Sequence, residues 1–292
     1  MNTILFPLLI LFITSISFLS CGSTIRPSVE TDHMEKDLNV SHYQPGPDWS
    51  LVWSEEFNSD SLNEENWNRQ VEPAGRFNDE WQRYTNSTDN AYVENNKLVI
   101  EAKHVGEAHG VNQYTSARLN TANKQSWTYG KIVARIKLPH GMGIWPAFWM
   151  LGANIDENGG DTPWPQCGEI DILELYGAKD DSVVEANLHY ADSTNSHAQM
   201  GAVSFKLDTG TFSDEYHLFE LEWKPEQIIW KVDGQPYAAL DISSAEFNEF
   251  HRPHFLLLNI AVGGTFAGRP DATTPFPQKM YVDWIRVFQQ GL

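Results

Sequence analysis

Apolar and polar positions alternate along most of the chain beyond Leu51, with the period of two that a half-buried strand requires. In "KIVARIKL", Ile132, Ala134, Ile136 and Leu138 fall on one face, and Val133, Arg135 and Lys137 on the other. "AYVENNKLVIEAK" reads as two short strands joined near Asn95 and Asn96, and "IIWKVDGQPYAAL" as two more that turn at Asp233 and Gly234. Further strands are expected in "HLFELEW", "HFLLLNIAV" and "MYVDWIRVF". No long stretch has helical period, and at most one short helix is expected, near "SSAEFNEF". About a dozen strands without an internal repeat pack as an all-β antiparallel β-sandwich of jelly-roll type.

The pattern is different before residue 48. An apolar run from Ile4 to Leu19 is followed by small residues and Cys21, then by a polar stretch closing on "QPGPDW". The run is short for a membrane span, contains Pro7 and lacks a basic stop-transfer cluster, so it reads as an export signal. The expected organisation is an export signal over residues 1–20, a polar tether over 21–47 and a catalytic domain over 48–292. The leader resembles a bacterial lipoprotein signal, which implies an acylated Cys21 as the mature N-terminus and a cell-envelope or surface location. It departs from that pattern in Phe18, Leu19 and the absence of Lys or Arg at its start, and plain secretion is the alternative.

With 292 residues, 41% of them hydrophobic, the chain can bury a sizeable core. Its formal charge of -19 and the absence of basic runs argue against nucleic acid and anionic membrane surfaces, leaving the lipid anchor as the one route to a membrane. The same charge disfavours sulfated or uronate polymers and favours a neutral one. Of two cysteines, Cys21 lies at the processing site, so Cys167 has no partner for a mature disulfide and is read as a packing residue.

One strand breaks the pattern. "CGEIDILELYG" places Glu169, Asp171 and Glu174 among Ile170, Ile172, Leu173 and Leu175, which demand burial. Glu169 and Asp171 share a face, but Glu174 falls on the opposite parity. A β-bulge between Asp171 and Glu174 would return the third acid to the face of the other two. The outer pair would then stand about 13 Å apart at Cα, and side chains leaning together could reach the roughly 5 Å carboxyl spacing of a retaining glycoside hydrolysis. Clustered acids also raise one another's pKa, which keeps one protonated near neutral pH. Upstream, Trp145, Ala147 and Trp149 of "GIWPAFWML" share one face, where indoles suit either a core or the C–H faces of sugar rings.

The ordered series "YTSARL", "TYGKIVARIKLP", "WPAFWMLG", "WPQCGEIDILE", "LLLNIAVGG" and "MYVDWIRV" resembles glycoside hydrolase family 16, and within it the bacterial laminarinases, over residues 51–288. The resemblance implies a concanavalin-like jelly roll with a concave cleft and retaining cleavage of β-1,3-glucan. It implies Glu169 as nucleophile, Glu174 as acid/base and Asp171 as their helper. It further implies sugar-binding roles for Trp145, Trp149, Asn78 in "FNDEWQ", Arg118 and His189, with Trp164 and Phe266 bordering the cleft and Glu80 supporting the Asn78 loop. A salt bridge for Arg118 and a core position for His189 are the alternatives. The chemistry requires no cofactor; one structural calcium on the convex side, held by Asp283 and near Glu56, is implied. The expected partner is a neutral β-glucan, met by a monomer. A carbohydrate-binding jelly roll without activity, or a relative acting on mixed-linkage glucan or a galactan, are the other readings. "NIDENG" (154–159) lacks the Glu at position twelve of a calcium loop and reads as a surface turn, and "HRPH" lacks further zinc ligands.

Overall fold

The computed structural model describes residues 43–291. The export signal, most of the tether and Cys21 lie outside the described residues. Two β-sheets face each other. In the larger, the spatial order is Gln235–Asp241, Gln227–Val232, His217–Trp223, Gly130–Lys137, Gln278–Gln290, Lys97–His104, Tyr114–Ser116 and Gln82–Tyr84, with Trp49–Glu55 and Ala91–Glu94 pairing onto it. In the smaller, it is His197–Gln199, Val183–Ala191, Glu169–Glu174, Ile144–Gly152, His254–Val262, Arg118–Asn120 and Asn68–Gln70, with Val203–Lys206 joining Val183–Ala191.

The alternation read from sequence decides what each sheet buries. Ile132, Ala134 and Ile136 point into the core beside Phe219 and Leu221, and meet Phe148, Met150, Leu256 and Leu258 of the smaller sheet. On the outer face of the larger sheet, Lys131 and Lys231 interleave with Glu220 and Glu222 at 2.8 to 3.7 Å. On the outer face of the smaller sheet lies the cleft. Both hairpins form where expected: Asn95 and Asn96 take φ of 51° and 55°, Asp233 and Gly234 take 49° and 78°, and such paired positive values match the twist of the flanking strands.

The described residues hold eighteen strands rather than about a dozen. Five of them are three residues long, too short to show an alternation. One pair, Gln82–Tyr84 with Tyr114–Ser116, is parallel within the otherwise antiparallel sheets. "SSAEFNEF" forms a 3₁₀ helix over Ala245–His251 that breaks at Phe247, the "NIDENG" turn holds one 3₁₀ turn, and a four-residue α-helix spans Gly264–Ala267. Cys167 is fully buried, and burial pushes its thiol up to about 12, as befits a packing residue.

Candidate active site

The acidic strand Glu169–Glu174 lies between Ile144–Gly152 and Val183–Ala191. On one side Asp171 faces Trp149 and Glu174 faces Ala147, so three steps on the acidic strand match two on its neighbour. The other pairing slips in the same place, with Asp171 opposite Asn187 and Glu174 opposite Glu185. This bulge turns Glu174 to the face of Glu169 and Asp171, while Ile170, Ile172, Leu173 and Leu175 enter the core. The three acids line a cleft of about 630 Å³ together with Asn78, Arg118, Trp145, Trp149, Trp164, His189 and Phe266.

Each carboxyl has its own partners. Trp145 Nε1 donates to Glu174 Oε1 at 2.9 Å and the Tyr176 hydroxyl to Oε2 at 2.7 Å. Trp164 Nε1 donates to Glu169 Oε2 at 2.9 Å. His189 Nε2 stands 3.3 Å from Asp171 Oδ2 and 3.9 Å from Glu169 Oε1. Burial, reinforced by the charge of Asp171 and opposed by His189, raises Glu169 to about 8. Burial and the charge of Glu174 hold Asp171 well above the usual carboxylate range. Burial also raises Glu174, against the hydrogen bonds from Tyr176 and Trp145. Three acids in one desolvated cleft thus compete for protons and do not all ionise together as isolated carboxyls would.

The aromatic walls are fixed from behind. Trp149 Nε1 donates to Asn259 Oδ1 at 2.8 Å, and Asn259 Nδ2 to the Tyr84 hydroxyl at 3.3 Å. Tyr84 donates in turn to Glu80 Oε2 at 3.0 Å, where Gln82 Nε2 also donates at 2.5 Å. Glu80 is therefore a buried anchor beneath the Asn78 loop, its carboxyl raised first by that burial. Asn78 takes a φ of 48°, and its carbonyl accepts from Thr265 N and Oγ1 at 2.9 and 3.0 Å, tying this loop to the one that carries Phe266. The Arg118 guanidinium stacks between Phe77 and Trp149, 4.6 Å from each ring centre, and Nε donates to Gln70 Oε1 at 2.9 Å. Trp145 meets Tyr176 at 5.3 Å and Phe266 at 5.4 Å, while Trp164 faces His197 at 4.7 Å. Among the described residues Arg118 thus meets two rings and an amide oxygen, and His189 stands beside the cleft acids.

Asp283 and Glu56 do not fit a calcium site. Asp283 Oδ2 is taken by Arg135 Nη1 at 2.7 Å with Lys97 Nζ 3.6 Å from Oδ1, and Glu56 holds Arg286 through both oxygens at 2.8 and 2.9 Å. Cations of the chain already supply the charge that an ion would bring. Among the described residues, the acid and imidazole atoms with mutual spacing suited to a cation are those of Glu169, Asp171 and His189, within 4.8 Å of one another in the cleft itself.

Sequence reading missed Tyr176, Phe77, Glu185, Asn187 and His197, which line or back the cleft. A signal existed for two of them: in "EANLHY", Glu185 and Asn187 occupy the same strand face as His189.

The model of the family described as "Glycosyl hydrolases family 16" matches residues 78–286. The chain belongs to glycosyl hydrolases family 16. All ten cleft residues named from sequence fall inside the matched segment. This family 16 chain is 42% identical to the catalytic domain of an endo-1,3-β-glucanase (laminarinase) from Thermotoga petrophila RKU-1, whose solved structure agrees at a TM-score of 0.73, covering 85% of this chain and 100% of that one. A β-glucanase of Rhodothermus marinus is 38% identical over 265 residues, 86% of this chain and 89% of its own length. Glucan endo-1,3-β-glucosidase A1 of Niallia circulans is 34% identical over 266 residues, which cover 82% of this chain and 38% of that longer protein. The family 16 assignment accounts for a jelly roll whose outer cleft carries carboxyls flanked by indoles.

Proposed function

We propose that the protein is an endo-β-1,3-glucanase that cleaves laminarin-type chains with retention of configuration. The bulge carries this reading, because it sets Glu169 and Glu174 on one cleft wall with Asp171 between them. In the first step Glu174, protonated, gives its proton to the glycosidic oxygen while the Glu169 carboxylate attacks the anomeric carbon and the leaving chain departs. In the second, Glu174 takes a proton from water, whose oxygen displaces Glu169 from the glycosyl ester. Asp171 and His189 set the charge around Glu169, and the Trp164 indole holds its carboxylate. Aromatic rings beside both acids, Trp164 at Glu169 and Trp145 with Phe266 at Glu174, give sugar units a platform on each side of the cleaved bond. The chemistry draws on two carboxyls and water and needs no cofactor.

The substrate follows from the names of the relatives and from the charge of -19, which favours a neutral polymer. Purified protein should release short oligosaccharides from the interior of laminarin chains, cut mixed-linkage β-glucan more slowly and leave cellulose intact. Sizing the products of each incubation checks this. Intact laminarin would favour a glucan-binding role, and faster cutting of agarose or carrageenan would show that the loops have redirected the cleft.

For location, our reading is a monomeric lipoprotein of the bacterial envelope, supported by the leader that ends on Cys21. Expressed in a bacterium that processes lipoproteins, the wild type should enter the membrane fraction with a labelled acyl chain, and Cys21→Ser should abolish the label. Soluble, unlabelled wild type would leave plain secretion.

A further inference from the structure

A circuit of side-chain contacts runs from the Glu174 carboxyl through Tyr176 and Lys179 to Glu185. Tyr176 donates its hydroxyl to Glu174 Oε2 at 2.7 Å. The Lys179 ammonium lies 4.6 Å from the centre of the Tyr176 ring and donates to Glu185 Oε1 at 2.6 Å. Glu185 stands opposite Glu174 in the strand pairing, so this circuit begins and ends on paired positions. Glu185 is buried and Lys179 half exposed. Like charges directly opposite on paired strands repel, so a second acid at this position is costly unless a cation answers it. Lys179 answers Glu185, and its charge also sits on the face of Tyr176.

We propose that Lys179 and Glu185 are positioning residues for Glu174: their ion pair holds the Tyr176 hydroxyl on that carboxyl and fixes the charge beside it during proton transfer. The inference rests on the reading of Glu174 as acid/base given above. The groups facing Glu174 are Glu169 and Asp171 on its own strand, Glu185 and His189 on Val183–Ala191, and Tyr176 and Lys179 on the segment that follows; the Ile144–Gly152 strand brings the Trp145 indole, and Tyr237 of the larger sheet is influenced by Asp171 and Glu185. Within this set the charge of Glu185 favours the protonated form of Glu174, while the Tyr176 hydrogen bond favours the carboxylate. The ion pair keeps these opposed effects in register.

Opposite shifts test it. The alkaline limb of kcat/KM on laminarin follows loss of the proton from the general acid. Lys179→Met leaves the Glu185 charge unanswered and frees Tyr176, so the limb should move up by roughly half to one pH unit, the effect of one nearby charge at a protein surface. Glu185→Gln leaves the ammonium unanswered, and the limb should move down by a similar amount. The double variant should return near the wild-type position. A uniform fall in kcat/KM with the limb unmoved, or limbs that move the same way, would overturn the inference. An activated aryl oligosaccharide, whose leaving group needs no proton, separates the two readings. If the wild-type limb persists on it, the acid/base role of Glu174 fails; if it flattens while the laminarin limbs stay unmoved, the circuit alone fails.

Discussion

Glu169→Ala should lower activity on laminarin by about 10⁴-fold or more, and azide should restore turnover of an activated aryl oligosaccharide as the inverted glycosyl azide. The truncated side chain leaves room for the anion on the face from which the carboxylate attacks, so one displacement replaces two. Glu174→Ala should cost roughly 10²- to 10⁴-fold on laminarin, the range of a lost general acid. With an activated substrate its first step survives, and azide then intercepts the glycosyl ester from the opposite face to give the retained product. Product configuration by NMR distinguishes the two variants. The reverse pattern would exchange the two roles, and full activity in either variant would remove the paired-carboxyl mechanism.

Trp230→Ala should lose about 3–5 kcal/mol of stability in urea unfolding, the range for a large ring deleted from a packed core. The ring is fully buried in the larger sheet, and its Nε1 donates to the Asp171 backbone carbonyl at 2.9 Å. That carbonyl sits where the bulge interrupts the ladder, so the indole supplies a hydrogen bond at the point where the acidic strand departs from regular pairing. Trp230→Phe keeps most of the packing and should lose less, with about 1–2 kcal/mol of that loss coming from the unpaired carbonyl. A loss below about 1 kcal/mol for the alanine variant would mean that the ring does not brace the bulge.

The strands long enough to repeat, such as Gly130–Lys137, and the hairpins at Asn95–Asn96 and Asp233–Gly234 were legible because their determinants are local: side-chain parity and turn residues that accept positive φ. The candidate site was legible for a related reason. A third acid of wrong parity in an apolar strand can face the other two only through an extra residue, so the bulge between Asp171 and Glu174 follows from the spacing. The three-residue strands and the parallel pair were not legible, since their pairing depends on partners far along the chain. The same holds for charge partners. Arg135 reaches Asp283 across 148 positions and Arg286 reaches Glu56 across 230, and these long-range pairings, invisible to any local pattern, turn the two expected calcium ligands into salt bridges. Sequence thus determined which faces enter the core and that three acids gather on the face opposite one of them. Only the tertiary structure decided which indole, hydroxyl or imidazole meets each acid, because a contact between distant segments is set by how two sheets stack and not by the residues beside it.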